Sequence, residues 1–393
     1  MSFLIGVLIF VVALLASVML HEAGHFATAK MFGMKATQFF VGFGSTLWSR
    51  KRGETEYGIK VLPLGGFVKI VGMSSLDQVD PADEPRAFRS KPGWQRVIVL
   101  VAGSFMHFVI AFVLLFILAA GIGLVNQNTT TIDVMPCVPA SATATCTKAD
   151  ARSPAQLAGL KAGDEIVAIA GQPVHDWNQL GSVIKRQPAG KPVAFTIRRD
   201  GRTFTKDVTL AYASWHKGSY LGVEPVLLYS RQNPVQAASF AGNQFGGIVT
   251  QSFSAIGKIP QALPYLFAKN RASTPGGQVS SMVGAADFTG QVVAANLGWQ
   301  QKTTVVLLII IEVNIFVGIF NMLPLLPLDG GHVAIVVFER ARAWLARMLR
   351  RPDPGPVDIR KVVPVSVGVF ALFVALALLL IAADIVNPVT LPQ

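Results

Sequence analysis

Charged residues are scarce in this chain of 393 residues. Asp, Glu, Lys and Arg together make up 14% of it, against 52% for hydrophobic residues, and the mean hydropathy is +0.50. A typical soluble domain holds about 25% charged residues. The composition therefore excludes a single soluble domain and predicts several membrane spans around a water-soluble insert.

The positive charge also lacks the pattern that nucleic-acid binding requires. The net charge is +12, but no run interleaves basic and aromatic residues as a nucleic-acid groove does, so no nucleic-acid partner is expected. Eleven Lys or Arg lie in residues 30–96 and seven in 333–361, whereas sixteen are spread over 126–302. By the positive-inside rule, the first two segments face the cytoplasm and the third is translocated.

Four apolar runs are long enough to cross a bilayer, which takes about 20 residues. They are residues 2–20, 97–125, 303–323 and 362–386. No Lys or Arg precedes the first run, which argues against a cleaved signal peptide and favours a retained first span. Four spans then place both chain ends and residues 126–302 outside the cytoplasm.

A zinc-hydrolase pentad, HEAGH, directly follows the first run and contains His21, Glu22 and His25. A helix turns about 100° per residue, so the two histidines share one face about 6 Å apart. That spacing suits two imidazoles on one Zn²⁺, with Glu22 beside them to take a proton from water. The alternative is a polar cluster satisfied by its neighbours, but such residues are costly next to a span unless they are functional.

The long insert contains a recognisable module. Residues 153–174, SPAQLAGLKAGDEIVAIAGQPV, combine a short helix, a Gly-Asp turn and an alternating strand. This segment resembles the core signature of PDZ domains, and further strands at 193–199 and 203–210 extend the match to about 100 residues. The resemblance implies a groove that captures an extended peptide by β-addition.

A second motif, NMLPLLPLDGG at residues 321–331, follows the third run and offers Asp329 as a further ligand. Alone, Asp-Gly-Gly is typical of a turn. Together, HEAGH at the end of the first span, this motif at the end of the third and the intervening PDZ module resemble the site-2 protease family of intramembrane metalloproteases. The resemblance covers essentially the whole chain and is closest to the bacterial regulator-of-sigma-E protease type with a single PDZ domain.

The family resemblance implies residue roles. His21, His25 and Asp329 would hold Zn²⁺, Glu22 would be the general base, and Asn321 would help to hold substrate. It also implies a multi-pass protein of the bacterial inner membrane with its active site near the cytoplasmic side. Its partners would be membrane lipid, substrates that are either single-span proteins such as anti-sigma factors or leftover signal peptides, and a peptide bound at the PDZ domain. The PDZ domain would gate entry of the substrate, either by binding it or by size exclusion.

Residues 58–73, GIKVLPLGGFVKIVGM, predict a short β-hairpin that turns at Pro63 and the following glycine pair. The resemblance implies that a membrane-reentrant β element pairs with extended substrate. Gly65, Gly66 and Phe67 are therefore interpreted as substrate-binding residues. A plain structural hairpin is the alternative.

Two features depart from the family pattern. Pro324 and Pro327 are separated by two residues where the family usually has one. The second span commonly carries an asparagine where this chain has His107. We interpret His107 as a polar contact between helices, with an accessory metal ligand as the alternative.

Glu312 and the two cysteines leave alternatives open, whereas Asn314 does not. Asn314 is expected to bond across helices, whereas Glu312, also within the third run, either is protonated and hydrogen-bonded or faces a wet cavity. Cys137 and Cys146 are the only cysteines and lie in the external segment, so either they form a disulfide or they are separate thiols.

These signals predict an α-helical polytopic membrane protein with four transmembrane helices, a cytoplasmic membrane-associated β-hairpin region and an extracytoplasmic PDZ domain of α+β type.

Rival functions are a membrane-anchored PDZ scaffold with an inactive zinc site and a metal transporter, although a transporter needs polar residues along successive spans. The predicted segments are transmembrane helices at 1–30, 97–125, 303–332 (with the LDG motif) and 362–386, the β region at 31–96, the PDZ domain at 126–230, an amphipathic region at 231–302 and a cytoplasmic loop at 333–361.

Overall fold

The computed structural model describes residues 1–73, 78–126, 129–139, 141, 146–147, 150–268, 280–352, 354–355, 357 and 362–389, without the side chains of Leu64 and Ala262. The chain forms two compact units. The first combines Met1–Gly121 with Asn233–Thr390, and the second contains Ile122–Gln232.

Four helices of the first unit are long and apolar enough to cross a membrane, which confirms the four predicted spans. They are α1 (Ser2–Met31), α2 (Gly93–Ile117, continued by a π-helical turn at Leu118–Ile122), α7 (Trp299–Asn321) and α9 (Val363–Val386). Glycine lets α1 approach its neighbour closely. A Cβ at Gly24 would lie 2.6 Å from the carbonyl oxygen of Ala102 in α2.

Strands β1 (Ala36–Arg52) and β2 (Thr55–Ile70) form an antiparallel pair. The predicted β structure is therefore present, but the predicted position of its turn is wrong. The chain reverses at Gly53, whose φ is +63°, and the following glutamate. Pro63, Gly65 and Gly66 instead lie within β2, because β1 supplies partners on either side of Pro63 and Gly65, namely Phe43 for Leu62 and Val41 for Gly66.

An ion-pair network joins this strand pair to α1. Arg86 donates two hydrogen bonds to the carboxylate of Glu54, at 2.7 and 2.8 Å, and Lys30 at the end of α1 donates a third. The hydrogen bonds from Arg86 and Lys30 lower the pKa of Glu54 to about 2. The turn of the strand pair is thus held beside the end of α1 that follows the HEAGH motif.

The predicted amphipathic region, residues 231–302, contains two helices. Helix α5 (Pro234–Ala262) runs for 29 residues, and α6 (Met282–Ala294) follows, whereas residues 269–279 lie outside the described residues. Asn233 and Gln236 form a capping box at the start of α5, with Pro234 at its first position. This strong start, and a proline only near the end at Pro260, explain why the glycines do not divide the helix.

The second motif begins at the end of the third span, as predicted, but the predicted extension of that span to residue 332 is wrong. Helix α7 ends at Asn321, and Asp329 is the first residue of α8 (Asp329–Met348), which occupies much of the predicted loop 333–361. Pro324 and Pro327 lack the amide hydrogens that would continue α7. Gly330 lets α8 lie against the preceding loop, because a Cβ there would collide with the backbone of Met322.

In the second unit, four strands form a sheet in the order β6 (Gln172–Pro173), β5 (Glu165–Ile169), β7 (Pro192–Arg199) and β8 (Arg202–Thr209). Their inward side chains share a core with helix α4 (Trp177–Arg186), including Ile166, Ile197, Phe195 and Leu180. The shorter elements are β3 (Leu124–Val125), β4 (Ile132–Val134), α3 (Pro154–Leu157), β9 (Ala211–Ala213), β10 (Gly218–Tyr220), β11 (Val223–Pro225) and β12 (Tyr229–Ser230).

The two cysteines of this unit are joined. Cys137 and Cys146 form a disulfide with their Cα atoms 5.8 Å apart. The disulfide alternative of the sequence analysis is confirmed, and the alternative of separate thiols is wrong.

Two neighbouring arginines of β7 make ion pairs that differ in burial. Arg199 donates to both oxygens of Asp164, at 2.6 and 2.7 Å, and the Asp164 side chain is fully buried. Arg198 pairs with Glu165 in solvent, with exposed fractions of 50% and 35%. Burial alone would raise the pKa of Asp164, but hydrogen bonds from Arg199 and the Lys161 amide hold it below its ordinary value.

We predict that Arg199→Met destabilises the second unit, since it leaves a buried carboxylate uncompensated, at a cost of about 3 kcal/mol. Arg198→Met is the matched control, with an expected cost of at most about 1 kcal/mol. Hydrogen exchange of the β5 and β7 amides in the full chain measures both. Because the folded pKa of Asp164 is depressed, the Arg199 effect should shrink as the pH falls below about 4. Equal exchange in the two variants would contradict the prediction.

Candidate active site

Three side chains that are distant in sequence converge at the cytoplasm-proximal end predicted for α1. Nε2 of His21 and Nε2 of His25 lie 3.1 Å apart, and Oδ2 of Asp329 lies 3.3 and 3.4 Å from them. Both histidines are buried. Ligand atoms about 2.0–2.1 Å from a tetrahedral Zn²⁺ are separated by about 3.3 Å. The three atoms therefore have the spacing of three corners of a zinc tetrahedron.

The hydrogen bonds around the cluster favour a cation between these atoms. Nδ1–H of His25 donates to the carbonyl oxygen of Val99 at 2.7 Å, which leaves a lone pair on Nε2 facing the other two residues. Oδ2 of Asp329 is buried and has no hydrogen-bond partner among the described residues. A histidine that binds a metal typically donates its other ring N–H to a group such as a backbone carbonyl. The donor set, two imidazoles and a carboxylate, fits Zn²⁺.

Gly103 of α2 lies directly against the cluster. A Cβ at this position would collide with Nε2 of His25 and approach the His21 ring, at 2.6 Å from Cε1. Helix α2 can therefore pack behind both imidazoles only because residue 103 has no side chain. This contact was not predicted from the sequence.

Glu22 lies between the histidines in sequence and is held by strand β2. The amide of Val68 donates to Oε2 of Glu22 at 3.1 Å. Gly66 contacts the same region, because a Cβ there would lie 2.6 Å from Sδ of Met19 and 3.6 Å from Cγ of Glu22. The strand segment predicted to bind substrate thus runs alongside the predicted general base.

The other predicted substrate residues lie around this core. Phe67 stacks on Phe40 and Phe43, at centroid distances of 5.7 and 6.1 Å, and Gly65 lies over Phe43. Asn321 is the last residue of α7, and its half-buried side chain makes no hydrogen bond among the described residues. The structure therefore brings β2 to the cluster, whereas the Asn321 side chain makes no hydrogen bond there to the three converging side chains.

His107 connects α2 to α7 beside the cluster. Nδ1 of His107 lies 2.9 Å from Oδ1 of Asn314, which confirms the contact predicted between helices. The His107 ring centroid lies 5.0 Å from that of His21. His107 is outside the group of side chains that could share one metal ion within the described residues. Glu312 faces away on the exposed side of α7, with no described partner.

Comparison with known proteins agrees with this geometry. The model of peptidase family M50 matches residues 9–349. The chain is 36% identical to the zinc metalloprotease Rip1 of Mycolicibacterium smegmatis and 34% identical to Rip1 of Mycobacterium tuberculosis, in both cases over 100% of each chain. The Rip1 protein of Mycobacterium bovis is 33% identical over the same extent.

The chain belongs to peptidase family M50. This is the site-2 protease family, so the resemblance noted in the sequence is confirmed. The M50 enzyme is a zinc metallopeptidase with Zn²⁺ as its cofactor, and it is a multi-pass membrane protein. These findings exclude the metal transporter and the scaffold with an inactive zinc site as its function.

We predict that Gly103→Ala removes zinc from this M50 enzyme, because the added methyl group displaces the imidazole of His25. Alanine is intrinsically better than glycine in a helix by about 1 kcal/mol, so a loss reflects the contact and not helix propensity. Metal analysis of the purified protein measures the zinc-to-protein ratio. Gly368→Ala in α9, where a Cβ meets nothing within 4 Å, is the control. A zinc ratio equal to that of the control would contradict the prediction.

Proposed function

We propose that His21, His25 and Asp329 hold the catalytic Zn²⁺ and that Glu22 is the general base of an intramembrane endopeptidase. The convergence of two lone-pair nitrogens and an unpartnered carboxylate oxygen within 3.4 Å is the observation that carries the assignment. Two neutral imidazoles, two carboxylates and a divalent ion sum to zero charge. That balance suits a buried site, where uncompensated charge is costly.

The residues divide the work of hydrolysis. A bound Zn²⁺ supplies Lewis acidity and makes water a stronger acid and nucleophile at neutral pH. Glu22 accepts the proton of the attacking water and passes it to the leaving amine. The Val68 amide fixes the orientation of the Glu22 carboxylate, and the Val99 carbonyl fixes the ring of His25. Both supports come from backbone groups of neighbouring elements.

The substrates we propose are transmembrane segments of single-span membrane proteins. A helical segment shields its amides, so it must become extended before hydrolysis. The β2 segment at Gly65, Gly66 and Phe67 offers an edge for strand addition. Its position supports this role, since the amide of Val68 points away from β1 to Glu22 and so marks a free strand edge at the base. Asn321 is proposed to hold the extended chain from the α7 side.

The second unit is proposed to be a PDZ domain outside the cytoplasm. Its four-stranded sheet with a packed helix, the left-handed Gly222 beside Ser153 and the disulfide support this assignment. The enzyme would then reside in the bacterial inner membrane with its active site near the cytoplasmic side. It would act in regulated intramembrane proteolysis, on anti-sigma factors or remnant signal peptides, with the PDZ domain as binding site or size filter.

Glu22→Gln should abolish cleavage while leaving zinc in place, because the amide cannot accept a proton and the ligands are intact. We expect a fall in rate of about 10²–10⁴-fold, the range for loss of general base catalysis. The measurement combines zinc content with hydrolysis of a model transmembrane peptide by the reconstituted full chain.

Two further variants complete this test. His25→Ala should lose both zinc and activity, and Glu84→Gln, which alters a carboxylate in a solvent-exposed ion pair with Arg89, should retain both. Cleavage by Glu22→Gln at the rate of the unaltered enzyme would refute the assignment of the base. Zinc retained by His25→Ala would refute the assignment of the ligand.

A further inference from the structure

Helix α8 has a continuous apolar face that no described residue covers. Five of its side chains are between 51% and 64% exposed. At about 100° per residue they fall within an arc of about 120°. They are Val337, Phe338, Trp344, Leu345 and Met348. An apolar face of this width on a short helix requires a partner.

The opposite face of α8 is already packed. Val336 is buried in the core that α1 and α2 share, and Ala343 is also buried. Glu339, the only acidic residue of α8 apart from Asp329, is paired with Arg96 of α2 at 3.2 Å. One face of α8 is therefore packed against the first unit, and the opposite, apolar face is exposed.

Arginines border the apolar face on both sides. Arg340 and Arg347 lie about 40–60° beyond one edge of the apolar arc, and Arg342 lies about 40° beyond the other. Arg340 and Arg347 are exposed. Arg342 is half-buried and donates to the carbonyl oxygens of Pro354 and Gly355, at 3.3 and 2.6 Å. Long cationic side chains beside an apolar face place their charges at headgroup level while the face enters the acyl region.

The position of α8 in the chain selects the partner. It lies between α7 and α9, two helices long and apolar enough to span the membrane, so it is confined to one membrane surface. The exposed charged side chains of α8 are arginines, and residues 333–361 hold seven Lys or Arg against three Asp or Glu. This charge is complementary to anionic phospholipid and not to a zwitterionic surface.

We infer that the exposed face of α8 binds the surface of an anionic bilayer and that this contact holds the helix that begins with Asp329. The link to the cluster rests on the proposed role of Asp329 as a ligand. Because Asp329 is the first residue of α8, a displacement of the helix moves its carboxylate relative to His21 and His25. Anionic lipid thereby supports the geometry of the metal site from outside.

The first experiment locates Trp344 in discs of phosphatidylcholine and phosphatidylglycerol that contain the full chain. The fluorescence of Trp344 is the difference between the unaltered protein and Trp344→Phe. We expect quenching by lipids brominated near the headgroup and protection from acrylamide in water. Trp215 of the second unit, isolated in the same way with Trp215→Phe, is the control and should show no quenching by brominated lipid. Trp344 quenched by acrylamide alone would overturn the proposal.

The second experiment removes charge. One double variant carries Arg340→Gln and Arg347→Gln. The control double variant carries Arg186→Gln and Arg202→Gln, which replace two exposed arginines of the second unit. We expect the α8 variant to retain less phosphatidylglycerol on purification, by about fivefold for each arginine. It should also lose zinc to a chelator faster in discs that contain phosphatidylglycerol. The control variant should match the unaltered protein in both measurements.

The outcomes separate this proposal from the proposed function. Zinc content and peptide cleavage in discs of phosphatidylcholine alone test the metal ligands and the base without anionic lipid. The α8 proposal fails and the proposed function stands if zinc content and cleavage persist in phosphatidylcholine while two effects are absent. These are retention of phosphatidylglycerol by the unaltered protein on purification and slower loss of its zinc to the chelator in discs that contain phosphatidylglycerol. If zinc and cleavage are absent under every condition, the proposed function fails.

Discussion

The close approach of three electron-rich atoms is the constraint on which the first unit depends. Two imidazole nitrogens and a carboxylate oxygen lie 3.1–3.4 Å apart, a spacing that repels in the absence of a cation. Two glycines allow the backbone to bring these three atoms so close together. Gly103 lets α2 pass behind the imidazoles, and Gly330 lets α8 begin close to the loop that follows α7. Each glycine marks a place where a methyl group would push a ligand away.

The members of the cluster differ in how far their place in it could be predicted from the sequence. His21 and His25 follow from local geometry, since a spacing of four residues in any helix puts them together. Asp329 required the family resemblance, because no local rule joins residue 25 to residue 329. The Val99 carbonyl and Val68 amide could not be predicted at all. Backbone groups carry no residue identity, so their partners become visible only when the elements are packed.

The fold shows the same division. The four spans were predictable because hydrophobic length is a property of the segment itself. The turn of the strand pair was misplaced because β2 is defined by its pairing with β1, and no local rule shows which residues of the two segments become partners. Helix α8 was missed for a different reason. Its apolar residues from Val337 to Met348 recur at helical spacing, but residues 333–361 were interpreted from their positive charge alone as a cytoplasmic loop.

Helix α1 is unbroken from Ser2 to Met31. Nineteen residues separate Ser2 from His21, which corresponds to about 28 Å along the axis at 1.5 Å per residue. Because the helix is continuous, the position of its apolar part in the hydrocarbon layer fixes the depth of the two histidines. Under the proposed activity on transmembrane segments, the depth of a peptide bond in the bilayer would then help to select it for hydrolysis, together with the neighbouring side chains. A thinner or thicker bilayer would shift the preferred bond along the same substrate.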